Sequence, residues 1–126
     1  MGVIGLGGFG NEKAPWLPCP NPVDVGAPGH CILGWRPDGP TYYNYAASVS
    51  PTRNSFSAAA ESDIDADGII NYWGIEKPNV LGVVTAPAAN PDCPIGAVLD
   101  MAADPPAAGA VNLVGPCGLS FGAIIF

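Results

Sequence analysis

Residues 41–77, TYYNYAASVSPTRNSFSAAAESDIDADGIINYWGIEK, decide the fold. Over 41–50 the odd positions Tyr43, Tyr45, Ala47 and Val49 are apolar or aromatic, while Tyr42, Asn44, Ser48 and Ser50 are more polar, Ala46 excepted. Successive side chains of a strand point to opposite faces, so a period of two predicts a half-buried strand. Pro51 ends it. The alternation returns in 54–61, with Phe56, Ala58 and Ala60 on one side and Ser55, Ser57 and Glu61 on the other. Asp63, Asp65, Asp67 and Gly68 then signal a turn, because short acidic side chains bond back to their own backbone and glycine reaches positive φ. A third strand is predicted at 69–76, with Ile69, Trp73 and Ile75 opposite Tyr72 and Glu76, and Pro78 closes it. The whole predicts a three-stranded antiparallel meander.

Outward from this centre the chain becomes irregular. Residues 80–85 (VLGVVT) offer a fourth, edge strand, taking the sheet to 41–85. Residues 11–40 carry Pro15, Pro18, Pro20, Pro22, Pro28, Pro37 and Pro40, a density at which no helix forms; 1–40 is expected to be an irregular, stapled segment. Residues 86–126 form an Ala/Pro/Gly-rich, loop-rich C-terminal region. They admit one short helix at 94–102, with Pro94 in its first turn and Ile95, Val98, Leu99 and Ala102 sharing a face. The apolar tail, 119–126, reads as an edge strand or a packing segment. No internal repeat is seen, and one domain, 1–126, is expected.

Composition narrows the function. The 126 residues carry 4 Lys+Arg against 11 Asp+Glu, a formal net charge of −7, and only 12% are charged. Four cations supply no phosphate-binding stripe, which excludes an extended nucleic-acid surface. No apolar run is long enough to span a membrane. One histidine, His30, leaves little material for acid–base catalysis. Glycine (17) and proline (15) make up about a quarter of the chain. Yet 48% is hydrophobic, an apolar load that disordered chains of low charge density do not carry. The class expected is a compact, mainly β domain with long loops.

Cysteines stand at 19, 31, 93 and 117, and four cysteines allow three pairings. The local pairing, Cys19–Cys31 with Cys93–Cys117, is favoured because it closes two short loops in proline- and glycine-rich chain that has little regular structure to hold it. The alternative is free buried thiols in a reducing compartment. Disulfides imply an exported, extracellular location.

Each motif with chemical content also has a plainer reading. Gly5-Leu-Gly7-Gly8-Phe-Gly10 matches a dinucleotide fingerprint, but prolines follow where the helix that meets the pyrophosphate must start. Cys19, His30 and Cys31 lack the close pair of a zinc site. No nucleophile elbow accompanies His30, and no catalytic residues are assigned. Asp63-Ile-Asp65-Ala-Asp67-Gly68-Ile-Ile-Asn71 reads two ways. It is an acidic hairpin turn whose side chains cap backbone amides, or a weak Ca²⁺ site with Asp63, Asp65, Asp67 and Asn71 as ligands and Glu61 nearby. The bidentate Glu of a calcium loop is replaced by Gly74. The aromatics Trp35, Tyr42, Tyr43, Tyr45, Phe56, Tyr72 and Trp73 suggest a sheet covered on both faces, one side core and the other a subunit contact.

The segment Leu33-Gly-Trp35-Arg-Pro-Asp-Gly-Pro-Thr-Tyr-Tyr-Asn-Tyr45, followed by residues 56–75, resembles the globular domain of bacterial type IV pilins and pilin-like proteins of deltaproteobacteria and myxobacteria. There a Gly-aromatic-x-Pro-x-Gly turn leads into an aromatic-rich strand, a second strand ends in an acidic turn, and a third carries an aromatic. The likeness covers roughly 33–77, and the 93–117 segment resembles the disulfide-bounded C-terminal region of pilins. The family's long apolar N-terminal helix has no counterpart in residues 1–10. A chain trimmed to its soluble domain, a split pilin whose helix is a separate short chain, or a likeness confined to the sheet would each account for this. A separate helix would require an open apolar sheet face. The resemblance implies a structural subunit of an extracellular pilus-like filament, not an enzyme, with itself and a helical pilin chain as partners. Trp35, Tyr43, Tyr45, Phe56 and Trp73 form the expected assembly interface. The alternative is a secreted calcium-dependent binding module.

Overall fold

The computed structural model describes residues 2–5, 42–63 and 68–118. It is mainly β. Strands β1 (Gly2–Gly5), β2 (Asn44–Val49), β3 (Phe56–Ser62), β4 (Asn71–Lys77), β5 (Leu99–Asp100), β6 (Ala107–Ala108) and β7 (Val114–Pro116) follow in chain order. One sheet has the spatial order β1-β2-β3-β4-β7, with every pairing antiparallel; β5 and β6 pair separately as a short ribbon.

The three central strands are those predicted, and their register places Tyr45, Ala60 and Trp73 in one cross-strand row and Ala47, Ala58 and Ile75 in the next. The β2–β3 turn is closed around Ser50, whose hydroxyl accepts the N–H groups of Asn54 (3.1 Å) and Ser55 (3.2 Å). At the other end Gly68 adopts φ 85°, the conformation its place in the acidic turn demands.

Three expectations are corrected. Residues 80–85 are not a strand: Asn79 Oδ1 accepts the N–H groups of Leu81 (2.9 Å) and Val83 (3.1 Å), and this side-chain hub turns the chain back on itself. Residues 94–102 are not a helix. A tight turn, with Ala97 N–H on the Pro94 carbonyl (3.0 Å), runs into β5 at Leu99. The strand beside β4 is β7, whose Gly115 lies opposite Gly74. Residues 1–40 are not irregular throughout, because β1 pairs with β2 with a bulge between Val3 and Gly5.

Cys93 and Cys117 are joined, with Cα atoms 5.2 Å apart, as expected. Cys19 and Cys31, like His30, Trp35, Asp65, Asp67 and the tail 119–126, lie outside the described residues. The disulfide sits at the centre of the core with Ala59, Tyr72, Ala89 and Val98.

Candidate functional site

The two faces of the sheet carry opposite chemistry, and the covered one is the more polar. One face presents Ser55, Ser57, Ala59, Glu61, Tyr72, Gly74 and Glu76 on β3, β4 and the turn before them. The segment between β4 and β7 lies over it, and Ser55, Ser57, Tyr72 and Glu76 are buried. The cover is almost devoid of regular structure, so its backbone groups find no ladder of their own and must be satisfied by side chains. The polar residues of the sheet do this. Ser57 Oγ donates to the Pro87 carbonyl at 2.7 Å, Ser55 Oγ accepts the Thr85 N–H at 3.0 Å, and Glu76 Oε1 accepts the Gly96 N–H at 2.7 Å. Glu61 Oε2 accepts from Asn90 Nδ2 at 2.7 Å, and Tyr72 OH donates to Asp92 Oδ2 at 3.2 Å. Burial and the adjacent Asp92 and Glu61 charges push the Tyr72 phenol above its ordinary 10.0.

The opposite face is apolar. Its central strand contributes the small side chains Ala58 and Ala60, with Phe56 at one end. Tyr45 and Ala47 of β2 flank them on one side, Trp73 and Ile75 of β4 on the other. Tyr43 continues the aromatic row, its ring centroid 6.1 Å from that of Tyr45. Burial pushes the Tyr45 phenol upward, with Tyr43 adding to the shift. The result is a shallow trough with an alanine floor and aromatic walls. Its walls stand two inter-strand spacings apart, about 9–10 Å, close to the width of an α-helix. The face is sealed at Pro116 and half-buried through Tyr45, Trp73 and Ile75. It opens at Phe56 (39% exposed), Val49 (54%) and Val114 (69%).

Four of the expected interface residues, Tyr43, Tyr45, Phe56 and Trp73, therefore share one face, and Trp35 lies outside the described residues. Sequence reading missed Ala58 and Ala60 as the floor. The signal was their run of small residues between two aromatic strands. Of the expected calcium ligands only Asp63 and Asn71 are described. Asp63 Oδ2 accepts the Gly68 N–H at 3.1 Å, and its Oδ1 is buried with no hydrogen-bond partner among the described residues. Among the described residues no three His, Cys, Asp or Glu side chains converge on a metal-sized space. Nor is any helix there long and apolar enough to cross a membrane. No family model, curated protein or solved structure matches the chain.

Proposed function

We propose that this chain is the globular head of a pilus-like filament subunit, exported and acting by assembly, with the trough over β2, β3 and β4 receiving an apolar helix from its own or a companion polypeptide. The observation that carries this reading is the alanine floor of Ala58 and Ala60 between Tyr45 on one side and Trp73 and Ile75 on the other. Small residues let a helix approach the sheet closely, and the flanking aromatics give it large contact area at low side-chain entropy. The resemblance of residues 33–77 to pilin heads points the same way.

The test is to co-produce the chain with an apolar pilin-type helix and inspect the product by electron microscopy, reading docking separately from Trp73 fluorescence in a Trp16→Phe/Trp35→Phe background. Filaments and a blue shift of Trp73 emission are expected. A folded head that leaves Trp73 emission unchanged and yields no filaments overturns the proposal.

A second reading, a calcium-dependent binding module, draws on Asp63. One of its oxygens closes the loop onto Gly68 N–H, and the other is buried with no hydrogen bond among the described residues. A melting-temperature rise of several degrees with Ca²⁺ over EDTA, abolished in Asp63→Asn, is its expected signature; identical curves dismiss it.

A further inference from the structure

We draw no further inference here: the strongest candidate, the exposed apolar tip of Val80 and Leu81 on the turn braced by Asn79, is an unpartnered surface patch, and nothing among the described residues shows what covers it.

Discussion

Gly74 shows how tightly the cover is drawn onto the sheet. A Cβ at this position would stand 2.8 Å from Cys93 Sγ, 3.0 Å from Val98 Cγ2 and 3.1 Å from Cys117 Sγ. The disulfide lies where a side chain would be, and a covalently fixed sulfur pair has little room to yield. Gly74→Ala is expected to destabilise the fold by about 1–3 kcal/mol, measured by chemical denaturation, through overpacking against the disulfide. Gly68→Ala destabilises for another reason, since nothing crowds a Cβ there and only its φ of 85° penalises the substitution. Tyr72 gives a pH signature. Its folded phenol titrates above the ordinary 10.0 because burial and the Asp92 and Glu61 charges disfavour the anion. The unfolded chain thus ionises first. The stability Tyr72 contributes is whole below about pH 10 and is lost as pH rises through the folded value. Tyr72→Phe should flatten that alkaline decline and cost about 1 kcal/mol at neutral pH through the lost bond to Asp92, both read from melting curves across the pH range.

At the scale of elements, the strands β2, β3 and β4 were legible because each is a run of alternating side chains bounded by proline or an acidic turn. Their ends fell within a few residues of prediction. The edge strands were not. Gly2–Gly5 is four residues long and half glycine, and Val114–Pro116 is three residues long, so neither holds enough alternation to declare itself; each is a strand because a neighbour supplies the ladder. The run 80–85 has the composition of a strand, but Asn79 spends its carboxamide on the backbone of Leu81 and Val83, and this local closure wins over pairing. The cover over β3 and β4 depends on the bond between Cys93 and Cys117, which encloses a separation of 24 residues. Cys93→Ser/Cys117→Ser should lose about 3 kcal/mol and release the cover, with binding of a hydrophobic dye rising sharply. If dye binding and the denaturation midpoint both stay put, the disulfide does not hold the cover.

At the scale of the molecule, the two sheet faces differ in how they are covered. The polar face is consumed internally by a loop-rich cover, and the apolar face is half-buried among the described residues; on the proposed function it is the face that receives the helix. Alanine-to-arginine substitution on the trough floor, as Ala58→Arg/Ala60→Arg, should block helix docking while the covered face and its disulfide keep the head folded. An unchanged melting transition with lost Trp73 fluorescence response is the expected result, and retained docking would place the helix elsewhere.

The sequence by itself determined the meander, its turns and the grouping of Tyr43, Tyr45, Phe56 and Trp73 on one side, and it favoured, among three pairings, the local one of Cys93 with Cys117 that the structure shows. These follow from periods of two, turn residues and short separations, all of which act over a few residues. Only the tertiary structure decided which face is covered. Alternation says that two faces differ, and hydrophobicity alone would have buried the aromatic one. The cover is irregular chain with backbone groups to satisfy, so it settled on the serines, Tyr72 and Glu76 that can satisfy them, leaving the alanines and aromatics on the other side.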